Sequence, residues 1–306
     1  MYPHLCLAFI VWASTAGVSI AAPAADPARE LLRLVNRHRA SSAPCRPDAA
    51  PPGRLRTSSA LSQAAAWAPR AGGGDALNAA LRRAGYAAAR STAIELSGPA
   101  DAPAALRMLA SRHCMALSNP SYADIGVVHA ADRWRIVLAE PLLSSALGTS
   151  EDASLRVLAL VNEARGVERR CGAKRMPAVP PLRWSGPLSD VSLVHSRDMA
   201  TRDTLSHTGG DGSRVRQRVV RRGYAARSVG ENVAAGQGSA EQVVADWIAS
   251  PGHCENLMFP SFTEMGAAYV VELRSAAVIY WTHVFARPLR PARSTPAPSS
   301  AATQAR

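Results

Sequence analysis

Two imidazoles and a carboxylate stand beside glycine-rich or turn-like sequence in the second half of this chain: His207 in "LSHTGGDG", Glu231 in "VGENVAAG" and His253 in "SPGHCEN". Glycine lets backbone approach closely or take positive φ, so polar side chains placed there can be held at a cleft. Two imidazoles and one carboxylate also make a reasonable ligand set for Zn²⁺ or a similar divalent ion. The gaps of 24 and 22 residues (207 to 231, 231 to 253) match no compact metal motif. Spacing alone therefore leaves two readings open, a shared site or separate polar residues satisfied structurally. Ser206 and Ser250 carry hydroxyls, but neither sits in the Gly-x-Ser-x-Gly elbow of a serine hydrolase.

The elements that must position these groups are mixed. Residues 154–168 read as a helix with Leu155, Leu158 and Val161 on one side, and "PLSDVSLVHSRDMATRD" continues with Leu188, Val191, His195 and Met199 at helical spacing. His195 thus lies on an apolar face, either as a core histidine bonded to backbone or as a cleft group. "SAEQVVADWIAS" opens with Ser239 and Gln242 as a capping box and turns Val244, Trp247 and Ile248 inward. Two strands follow, "MGAAYVVEL" and "AVIYWTHVFA", the second placing Ile279, Trp281, His283 and Phe285 on one face. Helices leading into two late strands suggest a small sheet covered by helices.

The chain also repeats itself. "SRHCMALSNPSYADIG" (111–126) matches "SPGHCENLMFPSFTEMG" (250–266), "LLRLVNRHRASSAPC" (31–45) matches "VLALVNEARGVERRC" (157–171), and "WRIVLAEPL" (134–142) matches "WTHVFARPL" (281–289). "RRAGYAAARSTAIEL" likewise resembles "VRRGYAARSVGENV". Collinear matches of this kind define two tandem domains, 27–143 and 153–289. The duplication makes Cys45–Cys114 and Cys171–Cys254 the most economical of the three pairings of these four cysteines. The first copy keeps His113 for His253 and Glu95 for Glu231, but has no counterpart of His207 and carries Ile136 opposite His283. One imidazole and one carboxylate cannot hold a metal tightly, so the first copy reads as degenerate.

Length and composition frame these motifs. At 306 residues the chain accommodates two domains, and its net charge of +12 rests almost wholly on arginine, with Lys174 the one lysine. Such charge reads either as a solvated arginine surface or as attraction to anionic envelope polymers or lipid headgroups, whereas no basic helix or aromatic stacking motif supports nucleic acid. Residues 1–25 read as a signal peptide, with an apolar run from Leu5 and small residues after it. Removal of that segment takes Cys6 away and leaves an even number of cysteines, as an exported, disulfide-bonded protein requires. The Pro/Ser/Ala-rich segment 290–306 reads as a disordered tail.

The motifs "HSRDMATRDTLSHTGGDG", "GENVAAGQ", "VVADWIASPGHCENLMFPSFTEMGAAYV" and "YWTHVFA" resemble the bacterial branch of the CAP superfamily, whose domain is also called SCP, over nearly all of 155–287. The resemblance implies an α+β fold, a tandem of α-β-α sandwiches, with a cleft that holds His207, Glu231 and His253. That cluster would bind a divalent cation, Zn or Mg. Ser250 stands at about the place of a second cleft glutamate of the animal and plant branch. His283 stands where bacterial relatives carry Gln, either adding a fourth imidazole or replacing one hydrogen-bonding side chain. The expected function is a secreted, non-enzymatic binding module, periplasmic or extracellular, for a cation and an extended or lipid-like ligand. The alternative is a metal-assisted hydrolase, of protein or envelope polymer, with Glu231 as general base.

Overall fold

The computed structural model describes residues 26–41, 45, 50–67 and 73–289. The expected signal peptide (1–25) and tail (290–306) lie outside the described residues. In the first half, α1 (Pro27–Ala40), β1 (Arg56–Thr57), α2 (Ser59–Trp67), α3 (Gly73–Arg83), β2 (Ala88–Ser97), α4 (Ala102–Arg112), α5 (Cys114–Leu117), β3 (Asp124–Ala130) and β4 (Arg133–Pro141) follow one another. The second half runs α6 (Ser150–Arg165), β5 (Arg169–Cys171), β6 (Lys174–Met176), β7 (Arg183–Trp184), α7 (Gly186–Arg202) and α8 (Val215–Arg221). It continues with β8 (Ala226–Ala235), α9 (Ala240–Ala249), α10 (Pro251–Leu257), β9 (Glu264–Val271) and β10 (Ile279–Pro288).

Each half builds a four-stranded sheet of the same order, β1-β3-β4-β2 and β7-β9-β10-β8, with one short parallel pair at the edge and antiparallel pairing elsewhere. Strand alternation sends side chains to two faces. In the second sheet Ile279, Trp281 and Phe285 pack with Val157, Val161, Val243 and Trp247 of α6 and α9, while Val284 and Ala286 meet Leu188 and Val191 of α7. In the first, Trp134, Ile136 and Leu138 meet Leu31, Val35 and Leu109 of α1 and α4, and Val137 and Ala139 meet Leu61 and Leu81 of α2 and α3. Helices cover both faces of each sheet.

The helices start where the sequence caps them. Thr149 and Asp152 close a reciprocal capping box on α6. Ser239 caps α9, but Gln242 turns to the Gly238 amide instead of completing the expected box. In α6 the most deeply buried apolar stripe is Val157–Val161–Ala164, with Leu155 and Leu158 at its margin.

Equivalent polar devices recur in the two halves. Arg39 gives its guanidinium to the carbonyls of Gly53, Leu117 and Tyr122, and Arg165 gives its own to Pro180, Leu257 and Phe262. Burial pulls the Arg165 pKa down to about 10. Asn36 exchanges two hydrogen bonds with the Leu55 backbone, and Asn162 does the same with Leu182. Gly126 and Gly266 admit a helix onto the sheet, since a Cβ there would lie 2.2 Å from the Leu61 carbonyl carbon and 2.0 Å from the Ser189 nitrogen. The disulfides are Cys45–Cys114 and Cys171–Cys254, as expected, with Cα separations of 5.9 and 5.4 Å. Each closes a long loop, which the chain-entropy model values at about 4 kcal/mol.

Candidate functional site

Glu231 sits on β8, an edge strand, opposite Val284 of β10. Its side chain is only 2% exposed, so the carboxylate needs partners, and both oxygens have them. His207 Nδ1 donates to Oε1 at 2.9 Å, and Arg218 of α8 donates to Oε2 at 2.5 Å. The Nδ1 bond orients the His207 ring and leaves Nε2 as the nitrogen away from Glu231, on a side chain 58% exposed. Arg218 also donates to the backbone carbonyls of His207 and Ser213. One guanidinium therefore grips both the carboxylate and the loop that carries its imidazole partner.

His195 is buried on α7, and its Nε2 bonds the Ser206 carbonyl at 2.8 Å, one residue before His207. Burial lowers its pKa, partly offset by the Glu231 charge 3.9 Å away. The backbone bond of one reading is present and fixes the Ser206–His207 loop, while the residue also lines a hollow between α7 and α8.

His253 approaches from α10 on the other side of the edge strand. Asn232 Nδ2 donates to the His253 carbonyl, and Asn256 Nδ2 donates to the Glu231 carbonyl and to Asn232 Oδ1. The asparagines thus tie α10, with its half-buried His253, to the strand that carries Glu231. Partial burial lowers the His253 pKa, and the nearby His207 charge lowers it further. Gly230 is required next to Glu231, because a Cβ there would come within 2.7 Å of the Phe262 ring. Ser250 joins α9 to α10 at the cap position, and its carbonyl receives the Cys254 amide; no observed contact brings its hydroxyl to the cluster.

His283 does not join the cleft. It pairs across the strands with Asn232, one position from the Glu231–Val284 pair, so it points to the opposite face of the sheet. There it packs against Trp247 and Phe285, fully buried, with neither ring nitrogen hydrogen-bonded. Burial, aided by the Arg165 charge, pushes its pKa down to about 3. The register also corrects one counterpart: Val137 opposite Gly126 matches Val284 opposite Gly266, so Glu231 corresponds to Ala93 and not to Glu95.

Among the described residues no group of three His, Cys, Asp or Glu side chains is arranged to hold a metal ion. The three-ligand set of His207, Glu231 and His253 is therefore not formed as expected, because the Glu231 oxygens are occupied by His207 and Arg218. What the structure shows is a carboxylate behind the His207 ring, with His253 carried on the helix tied to the same strand. That donor chemistry suits Zn²⁺; Mg²⁺ calls for oxygen ligands, and the one carboxylate here is engaged.

Arg218 is the residue that sequence reading passed over. It stands in "VRQRVVRRG" among arginines of similar context, and only its position between Val215 and Val219 on one turn marks it as inward-facing.

Residues 158–285 match the family model described as CAP, cysteine-rich secretory protein family. A curated relative, the uncharacterized protein YkwD of Bacillus subtilis, is 29% identical over 123 residues, 40% of this chain and 46% of its own. The chain thus spans about half the length of the curated relative it matches. An extracellular SCP-domain protein of Bacillus anthracis shares 22% identity over 52% of this chain and 53% of its own, with a TM-score of 0.38. Na-ASP-1 shares 11% over 84% and 88%, with a TM-score of 0.47. A CAP/SCP-family domain in the second half is supported by the family match and by the bacterial relative.

Proposed function

We propose that the protein is an exported, non-enzymatic binding module whose second half presents His207 and His253 to Zn²⁺ and to an extended or lipid-like ligand. The single observation that carries this reading is the state of Glu231. Both of its oxygens are bonded and its side chain is 2% exposed, so it orients His207 and has no free face toward a substrate. A carboxylate that holds the distal nitrogen of a ligating imidazole is the usual support of a zinc-bound histidine. Bound there, Zn²⁺ would supply a Lewis-acidic anchor for an anionic or carbonyl group. His207 and His253 would hold it, with Arg218 and His195 keeping the His207 loop in place. A separate hollow of about 460 Å³ between α7 and α8, lined by Val191, Val194, His195 and Arg218 but by neither proposed zinc ligand, offers room for a partly apolar ligand. The net charge of +12 favours an anionic envelope polymer or lipid as partner.

The first half, in this proposal, is a degenerate copy kept for structure or partner binding. The repeat through "GY" and the strand register put Ala80 and Ala93 where the second half has Arg218 and Glu231. Both members of the ion pair are missing together while the buried arginine, asparagine and cystine devices remain, as a pair serving the cleft and not the fold would behave.

The test is calorimetric. Zn²⁺ titrated into the wild-type protein should give one site, lost in His207→Ala and in His253→Ala. Equal heats in all three proteins would remove the metal from the account. Turnover of peptide, peptidoglycan or ester substrates that vanishes in a folded Glu231→Gln variant would favour the hydrolase reading instead.

A further inference from the structure

A second charged feature lies away from the imidazoles, at the β7/β9 end of the sheet. Arg183, Arg227 and Arg287, all exposed, line one hollow of about 440 Å³ together with Pro181, Thr263 and Leu289. Arg183 is paired with Glu264, which is itself buried and also accepts the Tyr224 hydroxyl at 2.7 Å. Among the described residues Arg227 and Arg287 form no ion pair. The hollow therefore holds three guanidinium groups against one carboxylate that is already shared.

The other half of the chain shows what the fold alone needs. There Arg56 pairs with Asp124, and Tyr86 donates to the same carboxylate, reproducing the Arg183–Glu264–Tyr224 arrangement. Strand register places Ala89 where the second half has Arg227, and Glu140 where it has Arg287. Glu140 in turn lies 3.7 Å from Arg90. The scaffold is thus satisfied by one arginine, one acid and one tyrosine, and the two further arginines are additions peculiar to the second half.

From this we infer that the hollow is an anion site that takes a phosphate group, either free or on a lipid headgroup. Guanidinium forks match tetrahedral oxyanions with paired N–H donors, and the Thr263 hydroxyl beside them adds a further donor. The inference is independent of the imidazole cleft and of any metal there.

The experiment compares the wild-type protein with Arg227→Ala/Arg287→Glu, which installs the first half's residues at two exposed positions. Inorganic phosphate is titrated by calorimetry at low salt, and phosphatidylglycerol and phosphatidylcholine vesicles are tested by co-sedimentation. Unchanged thermal unfolding and unchanged Zn²⁺ heats establish that the variant is folded and its cleft intact. Binding of phosphate and of phosphatidylglycerol, each reduced at least tenfold in the variant, supports the inference; binding of the vesicles alone assigns the site to a lipid surface. No binding of either by the wild-type protein, or equal binding by the variant, overturns it.

Discussion

Replacing His283 with isoleucine, the residue that Ile136 supplies at the matching register position, should remove an acid sensitivity built into the core. His283 is fully buried with both nitrogens unpaired, and its pKa is pushed down from 6.5 to about 3. The unfolded chain therefore takes up a proton below pH 6.5 that the folded chain refuses down to about pH 3. Stability from this group is intact above pH 6.5 and is lost as the pH falls through that window. The linkage relation gives a loss of about 2 kcal/mol between pH 7 and pH 5, approaching roughly 4–5 kcal/mol below pH 3. At pH 7 the isoleucine also relieves an unsatisfied imidazole, worth ~1–3 kcal/mol, against some loss of ring packing on Trp247 and Phe285. Guanidinium unfolding of the disulfide-intact proteins at pH 7 and pH 5 reads the difference, and His195 and His253 cancel because both proteins carry them. The wild-type minus variant stability should drop by about 2 kcal/mol across that interval. An unchanged difference would refute the reasoning and place His283 in contact with a proton acceptor or solvent.

Three further outcomes follow from the same geometry. Arg218→Met should cost about 3–5 kcal/mol in denaturant unfolding by leaving the Glu231 charge buried without its cation, and Arg218→Ala/Glu231→Ala should recover most of that loss. Zn²⁺ affinity should fall on acidification, because an imidazole nitrogen must be unprotonated to bind; a flat profile from pH 8 down to pH 4 in calorimetry would count against imidazole ligation. Gly266→Ala should lower stability by about 3 kcal/mol, since the added methyl meets the α7 backbone, whereas Gly252→Ala, with open space around it, should change little in thermal melts.

Much of the scaffold was readable from residue patterns because those patterns are local or repeated. The cysteines, the glycines at 126 and 266 and the Asn-x-x-Arg of each opening helix occupy matched places, and the structure gives each matched pair the same partners. The period-two pattern already put His283 with Trp281 and Phe285; applying it across the Glu231–Val284 pair separates His283 from the cleft. Glu95 misled because its match to Glu231 rested on residue type; the ungapped repeat from the shared Gly-Tyr and the cross-strand pairing both put Ala93 there. Arg218 was opaque for another reason: its role depends on a carboxylate thirteen residues away on a different element, and no spacing rule joins a short helix to an edge strand.

The proposal's central claim is that His207, with Glu231 and Arg218 behind it, and His253 hold one Zn²⁺ between them. Anomalous diffraction at the zinc edge, from crystals soaked in Zn²⁺, tests it most directly. The account predicts a peak bonded to imidazole nitrogens of His207 and His253, with the Glu231 carboxylate still on His207 Nδ1 and Arg218. A peak on Glu231 itself, or two imidazoles turned to separate surfaces, would contradict it.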